Sequence, residues 1–515
     1  MLDLRLHGAT VYPVSGREVA HEIGIWRGRV VGVDEQIRGL PAKQEVNLDG
    51  ATILPGFVDP HVHMVWAGLK ERTWSIAHCT TVDQALAVID DARAEAEWLD
   101  VVGYDQRRLG RHITARELDT VARGRKVLLL HDSGHACVVS SSVLAELDHP
   151  HEDGFLAEGG MAAVRALRQP YSLDEMSEAI NTAALTCLKE GVTTVAEAGV
   201  GGGLISHSPI EIAAYQRAEV PMRIQFMVAG SLLRDRHAHR TDDVPRAMDL
   251  GVYTGFGGDR FGIGALKIFT DGGMMARTAA LTEPYAGEDH NGQLYADPAE
   301  LTALIVDGHR AGWQLAIHAI GDRAVDLALD ALTEAQRLFP RPACRHRIEH
   351  AGAVRPDQLA RFAALDLTAV VQPNFLYYNG DDYAAIMGPD RAPWLYRARS
   401  FLDHGVKLVG SSDRPVTNGA PLRAIQFMVT RETEQGTSLT PEEAITVPEA
   451  LRAFTIDAAY ACNLESSVGS LAEGKLADMV VLADDPHTVD PGRIGDIEVI
   501  ATVFGGEIAY GDEYW

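Results

Sequence analysis

Hydrophobic and polar positions alternate residue by residue at both ends of the chain and follow a longer rhythm between them. Leu2, Leu4 and Leu6 alternate with polar residues, and Glu22–Trp26 and Arg29–Val33 flank Arg27-Gly28 in a hairpin-like pattern. The far end has the same texture in Met479–Leu482, Val499–Phe504 and Glu507–Tyr510, with Gly505-Gly506 as the turn. Two strand-rich ends around a different middle predict one β-domain assembled from residues 1–53 and 469–515. Such a layout suits chain ends that lie close together.

In the middle, short apolar runs are each followed by a helix-like stretch. The runs are Thr193–Ala196, Met222–Val228, Ile263–Phe269, Gln314–His318, His346–His350, Leu367–Gln372 and Val406–Gly410. Amphipathic segments such as Pro298–Ala311, Arg323–Leu338 and Pro356–Ala364 lie between them. Strand alternating with helix implies parallel strands joined by crossover helices. With Thr52–Val58 at the front there are eight strands, which predicts an α/β fold with a (β/α)8 barrel over residues 54–468. The stretch from about 65 to 175 is too long for one βα loop. Its helical pieces, Val82–Leu99 and Ala115–Ala122, and its strand Lys126–His131 predict an insertion after strand one that covers the barrel mouth.

Composition narrows the class. The chain has 515 residues, 46% hydrophobic and 23% charged, enough apolar material for a large core. Its formal net charge of −26 excludes nucleic acid and anionic membranes as expected partners, since no basic stripe interrupts it. The first residues alternate like a strand and lack a signal-peptide pattern, and no apolar run reaches the roughly 20 residues of a membrane span. Cys79, Cys137, Cys187, Cys344 and Cys462 are odd in number and never form a CxxC pair, so neither a disulfide framework nor a zinc knuckle is expected. The expectation is a cytoplasmic enzyme acting on a small molecule, with a homodimer left open. Only seven of the 46 basic residues are lysine, so a lysine inside an apolar strand asks for an explanation. Lys267 is one.

In a (β/α)8 barrel the active site gathers at the C-terminal ends of the strands. Strand one ends in Gly56-Phe57-Val58-Asp59-Pro60-His61-Val62-His63, whose two histidines at i, i+2 face the same way on extended chain. Strand five ends at His318, strand six at His350, and strand eight in Gly410-Ser-Ser-Asp413. One histidine closing a strand is ordinarily structural. Four histidines and an aspartate at the same end of one barrel fit zinc or a similar divalent ion, with no thiolate in the set. Lys267, between Leu266 and Ile268, is expected to be buried, with its pKa lowered by desolvation. A neutral amine can take up carbon dioxide as a metal-bridging carbamate. A lysine paired with Asp271 is the alternative, and the residues alone leave both open.

The ordered motifs resemble the amidohydrolase superfamily, and within it the YtcJ-like metal-dependent hydrolases that include N-substituted formamide deformylases. They are Pro55-Gly-Phe-Val-Asp-Pro-His-Val-His, Ser133-Gly-His135, Leu266-Lys-Ile-Phe-Thr-Asp-Gly, Ile317-His-Ala-Ile-Gly-Asp, His346-Arg-Ile-Glu-His and Gly410-Ser-Ser-Asp-Arg-Pro-Val. The C-terminal Val468-Gly-Ser-Leu-Ala-Glu-Gly-Lys-Leu-Ala-Asp-Met-Val-Val completes them. The resemblance implies a metal-bearing barrel with a small β-sandwich domain. It also implies that His61, His63, His318, His350 and Asp413 are metal ligands, with Lys267 as a carboxylated bridge between two divalent ions, zinc foremost. Two departures, Asp271-Gly-Gly-Met-Met and Ser140, fall at positions expected to face the substrate.

The expected reaction is cleavage of an amide, N-acyl or N-formyl carbon–nitrogen bond by a metal-bridged hydroxide, with Asp413 as general base and then acid. His135 is a candidate to hold the substrate carbonyl. Hydrolysis of an ester, lactone or cyclic amide on the same centre is the first alternative. A mononuclear deaminase is disfavoured, because Gly321 stands where that chemistry wants a glutamate. A non-catalytic regulatory relative is disfavoured because every expected ligand is present. Glu349, beside His350 on the opposite face of its strand, is assigned a supporting role. Trp66, Met274, Met275, Phe375, Tyr377 and Tyr378 are candidate pocket residues, and Arg277 is expected to meet a substrate carboxylate or an acid such as Glu283.

Overall fold

The computed structural model describes residues 1–16, 19–92, 97–131, 136–147, 153–157, 159–202, 205–236, 239 and 241–511. Contacts divide the chain into two compact units. One is Met1–Met64 with Ile180–Ser206 and Ile210–Trp515, and the other is Val65–Ala179 with His207–Pro209.

The first unit is mixed α/β and contains a nearly closed barrel sheet of eight parallel strands. These are β1 (Phe57–Val62), β2 (Val192–Val200), β3 (Arg223–Ala229), β4 (Phe261–Phe269), β5 (Leu315–Ala319), β6 (Arg347–His350), β7 (Thr368–Val371) and β8 (Lys407–Gly410). Every residue of β1, β2 and β3 is buried, which is why such strands read as unbroken apolar runs. Inward residues are small, among them Val58, Ala196, Ala198, Ala265 and Ala316, and they pack against Ala458, Ala459 and Ala461 of the helix Ile456–Ala461. Strands β1 and β8 make no ladder with one another. Past the end of β8 the seam is stitched by Asp413 N–H to the His61 carbonyl (2.8 Å) and His63 N–H to the Arg414 carbonyl (2.9 Å). Ser412 N–H adds a bond to Asp59 Oδ1 at 3.0 Å.

The same unit holds a second sheet built from both ends of the chain. Leu2–Val11 pairs with Ala20–Trp26, Ala42–Asn47 and Thr52–Pro55, and Thr52–Pro55 pairs with Met479–Leu482, which leads to Val499–Phe504 and Glu507–Tyr510. A buried Arg223–Asp478 pair, 2.6 and 2.9 Å, ties this sheet to the start of β3. The run Thr52–Val58 is therefore two strands of two sheets, a correction to the single strand expected. The break falls at Gly56, where a β-carbon would sit 2.3 Å from Thr193 Oγ1, so only glycine lets β1 approach the start of β2.

The second unit has a five-stranded sheet in the order Phe155–Ala157, Ala136–Val139, Lys126–His131, Trp98–Tyr104, Trp74–Ser75. Leu99 and Val101 join Val127 and Leu129 on the face that packs with Leu118 and Ala122 of helix Ala115–Ala122. That helix begins with a capping box between Thr114 and Glu117. The helix expected over Val82–Leu99 ends at Asp91, and Trp98 and Leu99 belong to a strand. Ala92 N–H turns back to the Ile89 carbonyl, and parallel pairing with Lys126–His131 overrides the helical spacing.

Candidate metal centre

Six of the seven candidate site residues lie at or just past the C-terminal ends of barrel strands, and all six are buried. His61 is in β1 and His63 follows it; Lys267 is in β4, His318 in β5, His350 closes β6, and Asp413 follows β8. Donor atoms of His61, His350 and Asp413 all lie within 4.8 Å of one another. Asp413 Oδ1 is 3.0 Å from His63 Nε2 and 3.5 Å from His61 Nε2, and Lys267 Nζ is 3.2 Å from His61 Nε2. The His318 ring packs against that of His350 at 4.5 Å, while its Nε2 faces Asp271 Oδ1 and the Gly272 carbonyl, each at 3.3 Å. His318 thus has Nδ1 left to offer. The seventh candidate, His135, lies outside the described residues.

What stands behind the histidines decides which nitrogen they present. Glu349 Oε2 accepts from His61 Nδ1 at 2.5 Å, and Gln372 Oε1 from His350 Nδ1 at 2.7 Å. Glu197 Oε1 stands 3.9 Å from His63 Nδ1. With Nδ1 committed, His61 and His350 present an Nε2 lone pair, the arrangement found behind metal-bound histidines. Glu349 is in turn clamped by Arg347, whose Nη2 also donates to the Pro60 carbonyl at 2.7 Å.

Electrostatics agree with ligand chemistry. Burial, with Lys267 nearby, pushes His61 well below its ordinary pKa, and burial with His318 does the same to His350, so both rings are neutral. Burial lowers Lys267 to about 8, against the pull of Glu349 and Asp413. Burial acts to raise Asp413, but His61, His63 and Lys267 outweigh it and hold the carboxyl below its usual range. Asp413 Oδ1 is buried without a well-formed hydrogen bond, although two imidazoles face it. A buried carboxylate oxygen on which imidazole nitrogens converge fits a divalent cation.

Several expectations change. Lys267 does not pair with Asp271, whose carboxylate accepts from the backbone N–H groups of Ala280, Ile320 and Gly321. Glu349 does not turn away from the centre. His350 has φ of +72°, so strand alternation lapses at the end of β6 and both residues reach inward. Arg277 pairs with Glu288 and not Glu283. Ser140 is buried in the second unit, where its Oγ accepts from Val127 N–H at 2.9 Å. Of the candidate pocket residues, Phe375 reaches the centre, stacking on His350 at 6.3 Å. Glu197, Gln372 and the tyrosines Tyr383 and Tyr396, whose rings lie 6.5 and 5.9 Å from that of Phe375, were not found by sequence reasoning. Glu197 carried a usable signal, a lone acid inside an apolar strand.

A second donor set, His309, Cys344 and His346, is already satisfied without an ion. Leu315 N–H donates to His346 Nδ1 at 3.0 Å, so the His346 proton sits on Nε2 and is given to His309 Nδ1 at 2.8 Å. His309 Nε2 then donates to the Phe339 carbonyl at 2.7 Å. A metal on His346 Nε2 would require an imidazolate, so this chain of bonds is structural.

Eight parallel strands with imidazoles and carboxylates gathered at their C-terminal ends define a barrel of the metallohydrolase type. The chain belongs to the amidohydrolase family, whose profile matches residues 44–510. It is 27% identical to the amidohydrolase YtcJ of Bacillus subtilis, with 98% of each chain covered. It is 28% identical to the N-substituted formamide deformylase of Arthrobacter pascens, covering 99% of this chain and 98% of that one. Among solved structures, an uncharacterized metal-dependent hydrolase from Pyrococcus horikoshii superposes with a TM-score of 0.80 at 25% identity, over 95% of this chain and 99% of the other.

Proposed function

We propose that the protein hydrolyses the carbon–nitrogen bond of a small-molecule amide, N-acyl or N-formyl amine at a centre of two divalent ions, zinc foremost. His61, His63, His318, His350 and Asp413 would hold them, with Lys267 carboxylated between them. The observation that carries the reading is the convergence of His61 Nε2 and His63 Nε2 on Asp413 Oδ1. Bound ions supply Lewis acidity, polarising a carbonyl and acidifying water. Asp413, held ionised, takes a proton from the attacking water as its oxygen bonds to the acyl carbon. The carbon–nitrogen bond then breaks as Asp413 returns that proton to the leaving nitrogen, giving an acid and an amine. Glu349 and Gln372 hold His61 and His350 in the ligand tautomer.

The deaminase alternative is weakened by geometry. Gly321 N–H is spent on Asp271, and the neighbouring Asp322 carboxylate is spent on Thr282 and Arg355. Within this reading residues 1–53 and 469–515 form a small β-sandwich domain beside a barrel of 54–468 that carries an insertion. The enzyme is cytoplasmic in this reading, which the absence of any disulfide supports. No helix among the described residues is long and apolar enough to cross a membrane.

Metal-reconstituted protein assayed on a panel of N-acyl and N-formyl amines, with esters and lactones as comparison arms, tests the proposal. Turnover of an amine derivative that stops on chelation is expected. Failure on every amide arm overturns it.

A further inference from the structure

Tyr396 stands out on three independent grounds. Its φ is +40°, a left-handed conformation that aromatic residues rarely adopt, and its backbone is held there by bonds to the Gly352 carbonyl (2.8 Å) and from Arg431 Nη1 (3.2 Å). It is 1% exposed, yet its hydroxyl makes no well-formed hydrogen bond. The Tyr383 phenol is its polar neighbour, close enough to act on its titration, and the two rings meet edge to face at 6.1 Å.

Its position points to the centre. The Tyr396 ring lies 5.9 Å from that of Phe375, which stacks on His350. Burial, then Tyr383, Asp413 and Asp271, hold its phenol well above the ordinary range, so it stays a protonated donor. His350 (φ +72°) and Asp413 (φ +53°) share its left-handed backbone. Strained backbone and unspent buried hydroxyls both cost stability, and such costs persist where function uses them.

We propose that the Tyr396 hydroxyl is a catalytic donor to the substrate's carbonyl oxygen as that oxygen becomes the tetrahedral oxyanion, in a subsite walled by Phe375. The subsite takes an N-acyl or N-formyl amine whose carbonyl points at Tyr396, and it rests on the hydrolase reading above. The bond strengthens as negative charge grows on the oxygen, so it favours the transition state over the bound substrate.

Tyr396→Phe removes only the unbonded oxygen. The variant should keep its metal content and melt no lower than the unaltered protein, because no well-formed bond to the protein is lost. Its kcat on a hydrolysed N-acyl or N-formyl amine should fall about 10²-fold, with KM little changed. Its affinity for a phosphonate that mimics the tetrahedral oxyanion should fall by a similar factor. A folded, metal-loaded variant with unaltered kcat and phosphonate affinity overturns the inference. Lowered melting or lost metal assigns Tyr396 a structural role and overturns it as well. If the unaltered protein turns over no amide, the hydrolase reading fails and takes this inference with it, so the two failures are told apart.

Discussion

Glu349 Oε2 lies 2.5 Å from His61 Nδ1, and neither side chain has more than 1% of its surface exposed. Arg347 holds the carboxylate from behind, so the imidazole has one tautomer and one direction available to it. A carboxylate in that place raises the basicity of the far nitrogen. Glu349→Gln should therefore weaken metal binding by roughly 10–100-fold. Competition against a chromophoric chelator, well below the melting temperature, measures it. Unchanged affinity would show that the contact only packs the barrel.

Asp413 carries the proton in the proposed reaction. Asp413→Asn keeps the shape of the side chain, and the amide cannot accept a proton from water. A loss of about 10²–10⁴-fold in kcat is expected, with folding intact. Steady-state kinetics together with circular dichroism check it, and near-normal kcat would remove Asp413 from the proton pathway.

The barrel was legible in the sequence because its strands are buried on both faces, so each is a plain apolar run ended by a polar residue. Lys267 and the four histidines stood out for that reason, as interruptions at run ends. Supporting residues were harder. Period-two alternation puts Glu349 on the face opposite His350, but it holds only while φ stays extended, and His350 leaves that region. The Thr52–Val58 run hid a change of sheet at Gly56, since both halves are equally buried. Tyr396 packs on Phe375, beside the centre, from a loop far along the chain, with no local pattern to announce it.

The bonded pair His309 and His346 makes stability depend on acidity. Burial lowers the pKa of both rings below the ordinary histidine value, with the neighbouring His309 adding to the effect at His346. Below about pH 6.5 the unfolded chain binds protons that these folded rings refuse, so stability falls as pH drops toward the lowered folded values. The slope reaches about 1.4 kcal/mol per pH unit for each ring. It vanishes above about pH 7.5, where both states are neutral. His61 and His350 contribute in the same direction, so the pair is isolated by comparison. His346→Gln should have a shallower fall in urea midpoint between pH 7.5 and 5.5 than the unaltered protein, both measured free of metal. Equal slopes would mean that the pair does not titrate in this window.

Lys267 gives the sharpest test of the two-ion centre. Its amine is 3.2 Å from His61 Nε2 and buried, with its pKa lowered to about 8. An ammonium there would repel any cation held by His61 and Asp413. A carbamate, formed when the neutral amine bonds to carbon dioxide and loses a proton, would instead bring two oxygens to the ions. The Asp271 carboxylate is occupied by three backbone N–H groups, so an ion pair with Asp271 does not account for the residue. Lys267→Ala should lose metal and turnover together while the apoprotein melts no lower, because a buried amine disfavoured by desolvation has been removed. Formate or acetate should partly restore metal binding and turnover by supplying the missing carboxylate. Metal content by elemental analysis and turnover with and without added acid measure both arms. Full metal loading of the alanine variant without any added acid would show that Lys267 bridges nothing.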